Sequence, residues 1–173
     1  MTLELKRSKR WSILPALSID GYLDWIIYQG SITNELYIDF VRTRVLPHCF
    51  PIDSGRERSV LVMDNASIHY HPELLRICNE AGVRVEYLPP YSPDFNPIET
   101  SFAILKAWIR RHTDLAAAFI NSGTFGDFLQ LAVRAQDGAY NARNLFRKAG
   151  IIHRDSDTVG GLEETDSDES SSD

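Results

Sequence analysis

Residues 89–97 hold four of the chain's eight prolines, inside the stretch "LPPYSPDFNPIET". Each proline fixes its own φ and removes a backbone donor, so the segment can continue neither a helix nor a central strand. A stiff loop is what remains. Its end carries the marks of a helix start: Asn96 as N-cap, Pro97 at the first helical position and Glu99 at the third, in capping-box fashion. Two readings of Glu99 stand side by side. Either it closes the cap, or the rigid loop aims its carboxylate at something else.

The rest of the chain alternates strand-like and helix-like patterns. "RWSILPALS" reads as a strand whose proline suits an edge or a bulge, and "GYLDWIIYQG" as a second strand after a turn. "TNELYIDFVRTRVLPH" reads as an amphipathic helix with Leu36, Phe40, Val41, Val45 and Leu46 on its apolar stripe. "SVLVMD" is a short apolar run consistent with a buried strand. "HPELLRICNEAG" follows as a helix with Pro72 in its first turn and Gly82 as terminator, then "VRVEYL" as another strand. A helix runs through "PIETSFAILKAWIRRH", with further helical segments near 124–135 and 139–149. This order predicts an α/β fold with a mixed sheet, because the first two strands can pair antiparallel while the later ones need helical crossovers. In such sheets function gathers at strand ends.

A length of 173 residues, 43% of them hydrophobic, supports one domain with a real core. Cys49 and Cys78 form no disulfide or zinc pattern, which fits a reducing compartment. With no stretch of about 18 apolar residues, neither secretion nor membrane insertion is expected. The net charge of -6 is dominated by the segment "DSDTVGGLEETDSDESSSD", which has eight acids and no Lys or Arg. Removing those eight leaves 16 acids against 18 bases, or +2, over residues 1–154. The expected division is a basic segment at 1–10, a core at 11–150 and an acidic disordered tail at 151–173. Basic clusters at Lys6, Arg7, Lys9 and Arg10, at Lys106, Arg110 and Arg111, and at Arg143, Arg147 and Lys148 permit a nucleic-acid partner. Each also reads as ordinary solvated charge.

Asp64 ends the run "SVLVMD", so its side chain is expected at the carboxyl edge of a strand, where it either caps a turn with Asn65 or serves a site. A strand end and a helix start in adjacent crossovers can bring Asp64 and Glu99 together. Converging carboxylates hold hard divalent cations, and Mg²⁺ in particular binds few carboxylates while keeping waters and substrate phosphates. A pair of such ions activates an attacking water or hydroxyl and stabilises the leaving oxygen in phosphodiester cleavage. The sequence has no Gly-rich phosphate loop, G-x-S-x-G elbow or H-E-x-x-H helix to suggest another chemistry.

The run "LVMDNASIHYHPELLRICNEAGVRVEYLPPYSPDFNPIETSFAILKAWIRR" closely resembles the catalytic core of mariner-like transposases of the DDE superfamily, which have a ribonuclease-H-like fold. The resemblance rests on "DN-x-S-x-H" followed by "YLPPYSPDFNPIE", with 34 residues between Asp64 and Glu99, and extends over roughly 8–150. It implies that Asp64 and Glu99 are the second and third metal-binding catalytic acids, with Mg²⁺ or Mn²⁺ as cofactor and DNA as the molecule cut and joined. It also implies that Asn65 and His69 lie beside the metals and that a nuclear location is to be expected, while the basic helix face of Lys106, Arg110 and Arg111 is where a binding module would touch DNA phosphates. His69 reads equally as an ordinary surface histidine, and Asp94 as a loop residue bonded to local backbone.

The family's first acid lies on a strand about two dozen residues before "RWSILPALS", where this sequence offers only "MTLELKRSKR". The expectation is therefore an amino-terminally truncated, catalytically incomplete copy, without the family's helix-turn-helix region. That first strand is the central one of the fold. Its place would be filled by residues 2–6, left imperfectly closed, or supplied by another chain, as in a homodimer. The alternative is a DNA- or protein-binding module that no longer catalyses.

Overall fold

The computed structural model describes residues 10–151, so the expectations for the basic start and the acidic tail lie outside the described residues. The fold begins with an antiparallel hairpin of β1 (Trp11–Ser18) and β2 (Gly21–Gln29). Its tight turn needs a positive φ, which Gly21 supplies at 124°. Pairing runs from Trp11 opposite Gln29 to Ser18 opposite Gly21 and slips once, where Ala16 faces Asp24 but Leu17 faces Tyr22. Leu23 is the extra residue of this bulge, and the slip turns Tyr22 onto the face that carries Trp25 and Ile27.

The hairpin therefore has two apolar faces. Leu14, Ala16 and Ile26 look towards one core, while Ile13, Tyr22, Trp25 and Ile27 look towards another. The first core is built by α1 (Asn34–Phe40) and α2 (Pro72–Glu80), with Tyr37, Phe40, Leu74, Ile77 and Cys78 buried together. After α1 the chain stays helical but widens to π-type bonding over Val41–Val45, then tightens to a 3₁₀ turn at Leu46–His48. Val41 and Val45, at the two ends of the π-type segment, are both buried in the same core.

A second ladder pairs β3 (Val60–Met63) with β4 (Arg84–Tyr87) in parallel, joined by the crossover through α2. Leu61, Met63, Val85 and Tyr87 face the first core. The expectation of a buried β3 needs correction, because Val60 and Val62 are 43% and 45% exposed. Side chains alternate across a strand, and among the described residues this ladder has only two strands and packs one face. The expected mixed sheet is accordingly two separate ladders, each of two strands, among the described residues. The predicted first strand would precede Trp11 and falls outside them.

Four helices complete the body: α3 (Pro97–Arg111), α4 (Thr113–Asn121), α5 (Phe125–Arg134) and α6 (Ala139–Lys148). Leu105 of α3 and Ala132 and Val133 of α5 form the second core against the hairpin. The helix α4 was not expected as a separate element; a break at His112, with φ -117° and ψ 41°, divides it from α3. The whole is the mixed α/β plan anticipated from the sequence, in agreement with a ribonuclease-H-like arrangement. Among the described residues no helix is long and apolar enough to cross a membrane.

Candidate metal centre

Parallel pairing decides where the two carboxylates go. Since β3 and β4 run the same way, the segments that follow them leave from the same edge of the ladder. Asp64 stands just after β3, and the proline loop starts just after β4. Two bonds tie these exits together: Leu88 N–H donates to the Met63 carbonyl at 2.8 Å, and Asn65 Nδ2 donates to the Leu88 carbonyl at 2.5 Å. The loop thus begins where Asp64 begins.

Asp64 is oriented by its neighbours. Its Oδ1 accepts from the Ala66 N–H at 3.0 Å and lies 2.8 Å from His69 Nδ1. The same Nδ1 lies 3.0 Å from the Asp64 carbonyl oxygen. Both neighbours of Nδ1 are acceptors, so that nitrogen carries the proton. The His69 side chain is only 14% exposed and its ring packs tilted at 39° against Tyr37 with centroids 4.6 Å apart, while the His69 backbone carbonyl accepts from the Tyr87 hydroxyl at 2.9 Å. The turn-closing reading of Asp64 therefore holds. It closes a turn through Oδ1, while Oδ2 makes no hydrogen bond or ion pair among the described residues.

Glu99 behaves differently from the capping-box expectation. The Asn96 side chain caps α3 by accepting from the Ile98 N–H at 3.2 Å, as anticipated. The Asn96 N–H, which a capping box would give to Glu99, instead donates to the Pro93 carbonyl at 3.0 Å. The 3₁₀ turn at Pro93–Phe95 has taken that donor. Glu99 makes no hydrogen bond or ion pair through its carboxylate among the described residues. It lines an open cleft of about 230 Å³ together with Asp64, Asn65, Leu88, Tyr91 and Asn96.

The other expected residues fall into place around this cleft or away from it. Asn65 lines it but is spent on structure, since its Oδ1 also accepts from the Tyr70 hydroxyl. Asp94 is exposed, makes none of the described hydrogen bonds and does not line the cleft, which corrects the expectation that it bonds local backbone. The exposed proline-loop tip leaves its carboxylate open to solvent. Lys106, Arg110 and Arg111 are all exposed on α3. Glu99, Lys106 and Arg110 are spaced by seven and four residues, which puts them within about 20° of one line along the helix. The site also uses two residues that sequence pattern did not suggest: Tyr70 and Tyr87 stack at 4.6 Å and brace the wall behind Asn65 and His69. No spacing rule marks such a pair.

Two carboxylates lining one open cleft suit a hard cation that keeps several waters. Asp64 and Glu99 fit as two of its ligands. Among the described residues no group of three or more His, Cys, Asp or Glu side chains is placed to hold a metal ion, so the fit is partial.

One family profile, that of the DDE superfamily endonucleases, matches residues 2–118. No curated protein matches the chain.

Proposed function

The chain belongs to the DDE superfamily endonucleases, and from that premise we propose that it is a mariner-like transposase core in which Asp64 and Glu99 hold the catalytic metal over DNA. The observation that carries this reading is the release of Glu99 from its cap into the cleft shared with Asp64. A divalent cation held there, Mg²⁺ or Mn²⁺, would activate the attacking oxygen and stabilise the leaving one. The chain's own residues prepare the site. His69 and the Ala66 N–H fix the rotamer of Asp64 through Oδ1, and the proline loop with its Asn96 cap fixes the origin of Glu99. Lys106 and Arg110, about 10 and 16 Å along α3 from Glu99, follow the phosphates of a bound strand, with Arg111 beside them.

By itself this chain is catalytically incomplete in our reading, because only two acids converge among the described residues. Among the described residues the two ladders each keep a free edge on β1 and β3, and a strand from another chain, including a second copy, would pair there and bring a further ligand. A nuclear location belongs to the same proposal.

The test combines Mn²⁺ binding, followed by loss of the free-ion resonance signal, with nicking of supercoiled DNA by the purified chain. Wild type is expected to bind Mn²⁺, with affinity falling about tenfold or more in Asp64→Asn and in Glu99→Gln. Nicking should not exceed that of the Asp64→Asn variant. Robust nicking abolished by Asp64→Asn would keep the metal centre and overturn incompleteness. Equal Mn²⁺ affinity in all three proteins would overturn the ligand assignment.

A further inference from the structure

Tyr91 is the most exposed large apolar side chain of the described residues, at 103% of its reference area. Its backbone sits at φ 57°, a left-handed conformation that bulky residues rarely adopt. Neither feature is a consequence of slack. Before Tyr91 the loop is tied by the Leu88 bonds to Met63 and Asn65, and beyond it the Phe95 and Asn96 N–H groups donate to Ser92 and Pro93 at 3.2 and 3.0 Å. Pro89, Pro90 and Pro93 remove most of the remaining freedom. The backbone is held so that this one ring projects.

Tyr91 takes part in none of the described ring pairs and none of the described hydrogen bonds, in contrast to Tyr70, which stacks on Tyr87. Its place is at the lip of the cleft that also contains Asp64 and Glu99. Phe95, 53% exposed, lies four residues further along the same loop. On the other side of Glu99 the line of Lys106 and Arg110 leads away along α3. A strand whose phosphates follow that line into the cleft brings a base past the Tyr91 ring.

We propose that Tyr91 is a positioning residue that stacks on an unpaired nucleobase next to the phosphate held in the Asp64/Glu99 cleft. A free aromatic face beside a phosphate site matches the flat face of a base. Because every base offers such a face, the contact is tolerant of sequence. The base must be unpaired, since in a duplex both its faces are covered by neighbours. This inference rests on the reading that the cleft receives DNA.

The experiment uses the full chain with two DNAs labelled with fluorescein: a perfect duplex, and the same duplex with a three-nucleotide single-stranded flap carrying 2-aminopurine at its base. Anisotropy reports binding, and 2-aminopurine fluorescence reports stacking. Wild type and Tyr91→Phe should quench the 2-aminopurine on binding, whereas Tyr91→Leu should not. The Leu variant should lose about tenfold in affinity for the flap DNA and less than about twofold for the duplex. Equal quenching by wild type and Tyr91→Leu, with salt-sensitive binding intact in both, would overturn the stacking role and leave the DNA reading standing. If wild type shows no salt-sensitive binding to either DNA, both fall. If Tyr91→Leu instead abolishes self-association in sedimentation without changing the quench, the ring's occupant is a second copy and base stacking is overturned.

Discussion

Asn96 and Glu99 divide a task that their spacing would have them share. The Asn96 side chain satisfies the Ile98 N–H at 3.2 Å, and the Asn96 N–H is taken by Pro93, so the helix start is complete without the Glu99 carboxylate. The two residues should therefore differ when removed. Asn96→Ala is expected to cost about 1 kcal/mol of stability, the usual worth of a cap. Glu99→Ala should cost no more than about 0.5 kcal/mol, the attraction of an exposed carboxylate to a helix N-terminus. Urea denaturation of both variants checks this, and a Glu99→Ala loss as large as that of Asn96→Ala would put the carboxylate back in the cap. His69 is read from the same kind of detail. Its Nδ1 faces only acceptors on Asp64, and this makes it a support for that carboxylate.

Elements obey their local signals to different degrees. The helix α2 starts and stops where its sequence says, with Pro72 in the first turn and Gly82 just past the end. Gly82 has φ 68°, and a Cβ there would lie 2.8 Å from the Pro51 Cβ and 3.2 Å from its Cα. Gly123, also left-handed at φ 77°, has nothing within 4 Å of that position. Both glycines lose about 1 kcal/mol of conformational ease on replacement by Ala, but only Gly82 adds a clash, with the Pro51 ring. Gly82→Ala is thus expected to lower the urea midpoint more than Gly123→Ala, and equal losses would show that the Pro51 segment yields freely. The segment after α1 departs from its signal. The apolar stripe of Val41 and Val45 fits a plain helix, but burying both against the hairpin and α2 goes with the wider π-type turn. In β3 the unbroken apolar run suggested two covered faces, yet only Leu61 and Met63 found partners.

At the scale of the whole molecule the hairpin binds two cores into one body, since its alternate side chains enter both. Among the buried residues of the first core two are ionisable, Tyr37 and Cys78. Burial pushes the Cys78 thiol up to about 11 from its ordinary 9.0, with Cys49 adding a smaller push, and burial raises the Tyr37 phenol as well. A raised pKa in the folded state means that the unfolded chain releases its proton first as pH climbs. The contribution to stability is complete below pH 9 and is lost as pH rises through about 11. Urea midpoints measured across that range should fall, and Cys78→Ala should make the fall shallower. An unchanged slope in the variant would remove the thiol from the account.

What the sequence determined by itself is local: the stiff proline loop, the Asn96 cap, the order of strands and helices, and the 34-residue interval from Asp64 to Glu99. These follow from allowed φ and ψ, missing donors and neighbouring hydrogen bonds, all of which act within a few residues. The tertiary structure decided that the Glu99 carboxylate stays out of the cap, that parallel pairing brings it to the same edge as Asp64, that Val60 and Val62 face outward, and that Tyr91 projects unpartnered among the described residues. Each of these depends on what a group meets from far along the chain. A carboxylate that can cap a helix or hold a cation looks the same in one dimension. Whether it closes the cap depends on a donor that the Pro93 carbonyl has already taken from Asn96.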